Sequence, residues 1–92
     1  MTNIIGQINL AIKYAKEKNL MVARAELENV DNQINIIYQQ SRGFDALHVK
    51  RRQQIQMVGN RINLALRNIN NLKLFTTYLR QAIVLIMRFK LE

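Results

Sequence analysis

Hydrophobic residues recur with a helical period over the second half of the chain. Counted in sevens from Ile55, every inward-facing position up to Ile86 is apolar except Thr76. These positions are Ile55, Val58, Ile62, Ala65, Ile69, Leu72, Thr76, Leu79, Ile83 and Ile86. The opposite face is rich in glutamine, asparagine and arginine. The pattern predicts a long amphipathic helix over 53–91 whose apolar stripe packs against another helix.

Two shorter apolar stripes divide the first half of the chain. The first comprises Ile5, Ile8, Ile12 and Ala15, and the second comprises Leu20, Ala23, Leu27, Val30, Ile34 and Ile37. Extending the first stripe by sevens reaches Asn19, one residue out of phase with the second. The slip predicts a bend or short turn near Asn19, after a lysine-rich segment typical of a helix end. Thr2 or Asn3 is expected to cap the first helix.

The clearest interruption of helical periodicity is Ser41-Arg42-Gly43. Gly43 is suited to a left-handed conformation that ends a helix, and Asp45 is suited to cap the next one. Gly59 and Asn70 are weaker interruptions, so the second arm is either one helix or broken near one of them.

These elements predict an all-α fold for a single helical domain over 1–92. The expected architecture is an antiparallel helical hairpin with a bent first arm, made of three to four helices. The absence of proline favours long helices. A hairpin of this size buries little apolar surface, so we expect a homodimer or higher assembly to complete a four-helix-type bundle.

The expected oligomer interface lies in the C-terminal turns. Residues 82–91 are apolar on almost every side of the helix, which requires burial on every side. The predicted interface residues are Leu79, Ile83, Leu85, Ile86 and Phe89. The segment is too short to cross a bilayer and Arg88 and Lys90 interrupt it, so it is not expected to span a membrane. Attachment of Leu79 to Leu91 to a membrane surface is a third alternative, which the lack of a clean polar face disfavours. Cysteine is absent, and no signal peptide is recognisable at the first residues, so the expected location is cytoplasmic.

Positive charge is concentrated in the second half of the chain. The formal net charge is +8, of which residues 1–43 contribute +1 and residues 44–92 contribute +7. No acidic residue occurs between Ala46 and Leu91. This asymmetry indicates a polyanionic partner, either nucleic acid, an anionic membrane surface or an acidic protein. The alternative is a solvated basic face that only keeps the protein soluble.

Nucleic acid is the first partner that this charge suggests. Arginine suits phosphate because its planar fork bonds two oxygens at once. The predicted nucleic-acid-binding residues are Arg42, Lys50, Arg51, Arg52, Arg61, Arg67 and Lys73. No base-reading motif is recognisable and the aromatic residues are assigned mainly to the core, so we expect charge-driven binding by a regulatory or architectural protein. The alternative is a helical adaptor, inhibitor or immunity-type protein of phage, plasmid or bacteriocin systems, which the apolar C-terminal turns favour.

No constellation of residues points to catalysis. His48 is the one histidine and cysteine is absent, so neither a metal site nor a cofactor site is expected. Arg42 and His48 stand at a spacing similar to the Arg-x5-His pair of the HEPN ribonucleases, but the resemblance is confined to these two residues. Ser41 is the one serine and has no acid–base pair near it in sequence. We therefore expect a binding protein and not an enzyme.

Overall fold

The computed structural model describes residues 3–92, and within that range the secondary structure is entirely helical. The four helices are α1 (Ile4–Lys16), α2 (Leu20–Gln40), α3 (Ala46–Arg67) and α4 (Leu72–Phe89). The all-α class and the number of helices are confirmed.

The first arm reverses direction at the predicted bend. Lys18 takes a left-handed conformation (φ 63°), and the backbone N–H of Asn19 donates to the carbonyl of Tyr14 over 2.8 Å. Together with a bond from the Lys18 N–H to the Ala15 carbonyl, this is a Schellman motif, which ends a helix sharply. At the other end of α1, Oδ1 of Asn3 accepts from the Gly6 N–H at 2.8 Å, as expected for a cap. Thr2 lies outside the described residues.

The second arm is broken at its asparagines and not at Gly59. Helix α3 continues through Gly59 and ends at Arg67. The Asn68 side chain then donates to the Leu64 carbonyl at 2.8 Å, which competes with continued helical bonding. Oδ1 of Asn71 accepts from the Leu74 N–H at 3.2 Å and caps α4. The weak point near Asn70 therefore separates two helices.

Gly43 does not have the conformation that we predicted for it. No glycine within residues 3–92 has a positive φ, so the expectation of a left-handed Gly43 is wrong. The glycine is needed for space instead, because a Cβ on Gly43 would lie 2.5 Å from Nδ1 of His48. The predicted cap at Asp45 is confirmed, since its Oδ1 accepts from the His48 N–H at 2.9 Å.

The four helices form a closed ring in which each packs against two neighbours. Helix α1 contacts α2 and α4, and α3 contacts the same two helices. The neighbours run antiparallel, as shown by a bond from Gln33 to Gln7 across α1 and α2, and by one from Arg51 to the Phe89 carbonyl across α3 and α4. The resulting bundle measures 44 × 24 × 19 Å. One chain therefore encloses a four-helix core.

The predicted apolar stripes fill this core. Helix α3 buries every stripe position that we expected of it, which are Ile55, Val58, Ile62 and Ala65. In α4 the predicted positions Thr76, Leu79 and Ile86 are buried, but Leu72 is exposed, and Phe75 and Ala82 are buried although they lie outside the predicted stripe. Phe75 is the largest side chain that is fully enclosed.

The expected interface residues contribute to the core of the single chain. Leu79 and Ile86 are fully buried, and the other three pack against the core while partly exposed, namely Ile83, Leu85 and Phe89. Helices α1 and α3 cover two sides of α4, so its apolar C-terminal turns need no second chain on those sides. Only the outer side stays open, where Val84 and Met87 are 52% and 65% exposed.

Candidate nucleic-acid interface

Because of the charge asymmetry of the sequence, the two halves of the bundle differ in their acidic residues. The α1–α2 hairpin carries four acidic residues, which are Glu17, Glu26, Glu28 and Asp31. The α3–α4 hairpin carries none, because Asp45 precedes α3 and Glu92 follows α4. Within residues 3–92 the one close contact between a carboxylate and a basic side chain joins Asp45 and His48, at 2.6 Å. No carboxylate within residues 3–92 therefore neutralises a lysine or an arginine of α3 or α4 by direct contact.

Two of the predicted phosphate ligands, Arg51 and Arg52, are engaged with the backbone of their own chain. The Arg51 guanidinium donates to the Phe89 carbonyl at 2.9 Å and to the Lys90 carbonyl at 3.4 Å, at the C-terminal end of α4. Arg52 donates to the carbonyls of Ser41 and Gly43 in the α2–α3 loop. Replacing Arg51 and Arg52 with acidic residues would therefore disturb the C-terminal end of α4 and the α2–α3 loop, as well as any anion site.

Arg42 and Lys50 are exposed at one end of the bundle. We call this end the tip; it comprises the α2–α3 loop (residues 41–45) and the first turns of α3. Arg42 donates to Oε1 of Gln39 at 2.8 Å and otherwise faces solvent. Between them, Phe44 is 97% exposed and Leu47 is 74% exposed. The assignment of the aromatic residues to the core is therefore wrong for Phe44. Its place between Gly43 and Asp45, outside any apolar stripe, is the sequence signal that could have identified it.

The remaining predicted residues lie along the α3–α4 half. Arg67 and Lys73 are exposed at the end of the bundle opposite the tip, and Arg67 lies about 25 Å from Lys50 along α3. Arg61 is half-buried and lines a groove between α3 and α4 with a volume of about 430 Å³. The groove is lined by Met57, Arg61, Thr77, Arg80, Gln81, Val84 and Leu85.

Arg80 lies near cationic side chains of two other helices, α1 and α3. It lines the α3–α4 groove together with Arg61, and it also lines a depression between α1 and α4 together with Lys13 and Lys16. We call these four residues the α4 basic face. Glu17 is the one acidic residue in that depression. Lys13 and Lys16 were not predicted as binding residues, because nothing in the sequence indicates that α1 packs beside α4.

The described residues hold no arrangement that suggests metal chemistry or a membrane span. No three His, Cys, Asp or Glu side chains within residues 3–92 come close enough to hold a metal ion. None of the four described helices combines the length and apolarity that a membrane crossing requires. His48 and Arg42, which share the ribonuclease-like spacing, bond to Asp45 and to Gln39 respectively.

Comparisons with known protein families, with curated proteins and with solved structures find no match to this chain. What the protein does is therefore inferred from its own surface.

Proposed function

We propose that this chain is a small cytoplasmic nucleic-acid-binding protein of regulatory or architectural type. One observation supports the proposal: the α3–α4 half exposes cations and carries no acidic residue over 46–91. The exposed cations of this half are Lys50, Arg67, Lys73, Arg80, Arg88 and Lys90. Self-repulsion among so many like charges opposes folding, and a polyanion relieves it by binding.

The shape of the bundle suits a phosphate backbone. Its long dimension of 44 Å exceeds one turn of a DNA duplex, which is about 34 Å. Arg61 and Arg80 offer planar forks at the α3–α4 groove, while Lys13 and Lys16 offer compact ammonium groups in the neighbouring depression. Phosphate contacts of this kind position a protein on nucleic acid without reading its sequence. The expected binding is therefore strong at low salt and tolerant of sequence.

The test compares two charge reversals of equal size on opposite halves of the bundle. Arg80→Glu changes the centre of the α4 basic face, and Arg24→Glu changes an exposed position of α2, in the half that contains the acids. We expect Arg80→Glu to weaken binding of a labelled DNA or RNA by about tenfold or more, since it removes one phosphate contact and adds a repulsion. Arg24→Glu should change the affinity much less. Equal losses would show that only net charge matters, and no loss at Arg80 would contradict the proposed face.

A protein-docking function, as an adaptor, inhibitor or immunity-type protein, is favoured by a different observation. The α3–α4 groove has an apolar floor, and Met57 and Val84 at its surface are 47% and 52% exposed. A second copy of the chain would bind in this groove if the protein is a homodimer. Light scattering at micromolar concentration tests this: a mass near twice 10.8 kDa, reduced to one chain by Val84→Lys, supports the homodimer. A single-chain mass for the wild type excludes it.

A further inference from the structure

The tip is held in one conformation by contacts on both sides of Phe44. On the N-terminal side, Arg52 donates to the Ser41 and Gly43 carbonyls, the latter at 2.7 Å. On the C-terminal side, Asp45 accepts from the His48 N–H, and the His48 ring lies against Gly43 without room for a Cβ between them. These contacts restrain the loop in the absence of a partner.

Phe44 points away from this fixed loop into solvent. Its side chain is 97% exposed, whereas Phe75 of the core is fully enclosed and Phe89 is partly buried. A large aromatic ring that contributes nothing to the core is a candidate contact residue. Because the backbone around it is already ordered, docking of the ring would cost little further conformational entropy.

The charges around Phe44 favour an anionic partner. Residues 42–52 carry four cations, namely Arg42, Lys50, Arg51 and Arg52, against the single acid Asp45. The Asp45 carboxylate is taken up by the backbone N–H and the ring of His48. Arg42 and Lys50 are exposed on the two sides of Phe44 along the chain. The tip therefore combines an exposed aromatic ring with two exposed cations, Arg42 and Lys50.

We infer that the tip binds unpaired nucleotides, with the Phe44 ring stacked on a base and with Arg42 and Lys50 on the adjoining phosphates. This rests on the proposed function and names its substrate class as single-stranded nucleic acid. Every base offers a π-face to an aromatic ring, but in a duplex those faces are covered by neighbouring base pairs. Phe44 therefore distinguishes single strands from duplexes, and the α4 basic face does not.

The chain has no tryptophan, so Phe44→Trp introduces a fluorescent reporter at the tip alone. The probe is a twelve-nucleotide oligothymidylate, and the comparison is a duplex of the same length. We expect the single strand to quench the indole emission of Phe44→Trp, and the duplex to leave it nearly unchanged. The matched control is Met21→Trp, which places the indole at an 84% exposed position of α2, in the acid-containing half. Neither nucleic acid should quench that emission.

Affinities of two further variants separate stacking from apolar contact. Phe44→Ala removes the ring, and Phe44→Leu keeps apolar bulk without a π-face. Both should weaken single-strand binding by about 5- to 100-fold and leave duplex binding unchanged. Circular dichroism should show native helix content for both, since the replaced side chain is exposed.

The outcomes separate this inference from the proposed function. If both nucleic acids bind with a steep salt dependence while the Phe44 variants match the wild type, the inference fails and the proposed function stands. If neither nucleic acid binds at low salt, both fail. Wild-type affinity of Phe44→Leu would assign the tip to apolar contact and overturn the stacking. A blue shift of the Phe44→Trp emission on vesicles of anionic lipid, without quenching by the single strand, would assign the tip to a membrane surface and overturn the inference.

Discussion

Arg52 is a cationic side chain whose hydrogen bonds stabilise its own chain. Its guanidinium satisfies two loop carbonyls, including that of Ser41, which is itself buried. A lost hydrogen bond from a charged donor costs about 1.5–3 kcal/mol, and partial exposure of Arg52 reduces that cost. We therefore predict that Arg52→Met lowers the free energy of unfolding by about 1–2 kcal/mol in urea denaturation.

The matched control for Arg52→Met is Arg42→Met, which removes an exposed cation bonded only to the Gln39 side chain. It should change stability by no more than about 0.5 kcal/mol. If the two variants were equally stable, the loop would not depend on Arg52.

The stability of the first turn of α3 depends on pH through its capping residue, Asp45. The His48 backbone N–H, followed by the His48 side chain, holds the pKa of the Asp45 carboxyl below its usual value. A carboxyl whose pKa is lowered by folding stabilises the protein above its unfolded-state pKa, and this stabilisation is lost as pH falls through the folded-state pKa. Below about pH 4 we therefore expect the first turn of α3 to fray.

The fraying at Asp45 is measured by following the His48 amide resonance through an acid titration by NMR. Asp45→Asn keeps a capping oxygen without a titrating group, so its His48 amide should show no transition in that range. A wild-type midpoint above the usual aspartate value would contradict the predicted direction of the shift.

At the scale of the helices, periodicity predicted what each stripe would bury, but not how the stripes would be joined. The buried stripe of α3 appears as expected because its spacing is regular between Ile55 and Ala65. The heptad count assumed an uninterrupted second arm, so it did not place Phe75 and Ala82 on the inward stripe. Phe75 was assigned to the core only as an aromatic residue, and Ala82 only as part of the apolar segment 82–91; both are buried. The turn at 68–71 is stabilised by side chains such as Asn68 and does not interrupt the apolar pattern. The sequence therefore indicated this turn only weakly.

The two glycines of the α2–α3 region should respond to alanine with opposite signs. At Gly59 a Cβ would meet only Cγ2 of Ile34, at 3.9 Å, inside a regular helix. Gly59→Ala should therefore raise the free energy of unfolding by about 1 kcal/mol, because alanine is the better helix former. At Gly43 a Cβ would lie 2.5 Å from the His48 ring, so Gly43→Ala should be destabilising. Thermal unfolding of both variants checks this, and changes of the same sign would contradict it.

At the scale of the whole molecule, a side chain at the end of the chain closes the ring of helices. The Glu92 carboxylate accepts from the backbone N–H groups of Ile4 and Ile5, the latter at 3.0 Å. A carboxylate at a helix N-terminus is stabilised by the unpaired amides and by the helix dipole. We predict that Glu92→Gln lowers the free energy of unfolding by about 0.5–1 kcal/mol at low ionic strength. Denaturation repeated at high salt should shrink the difference, and a difference independent of salt would argue against this electrostatic contact.

The contact of α1 with α4 also explains which part of the candidate site could not be predicted. Charge counting located the basic half in the sequence, since residues 46–91 contain no acid. It could not bring Lys13 and Lys16 beside Arg80, because that pairing joins residues far apart in the chain. Charge counting also could not show that Arg51 and Arg52 donate hydrogen bonds to carbonyls of the same chain.

The central claim is that the basic half of the bundle binds the phosphates of nucleic acid. Its most direct test is fluorescence anisotropy of the wild-type protein with labelled single-stranded and duplex oligonucleotides over a series of salt concentrations. Each phosphate contact contributes a slope of about −0.9 for duplex, or about −0.7 for single strands, to the logarithm of affinity against that of salt. We predict tight binding at low salt and a slope of about −3 or steeper, which corresponds to several contacts at once. Absent binding at low salt, or an affinity that salt does not change, would contradict the account.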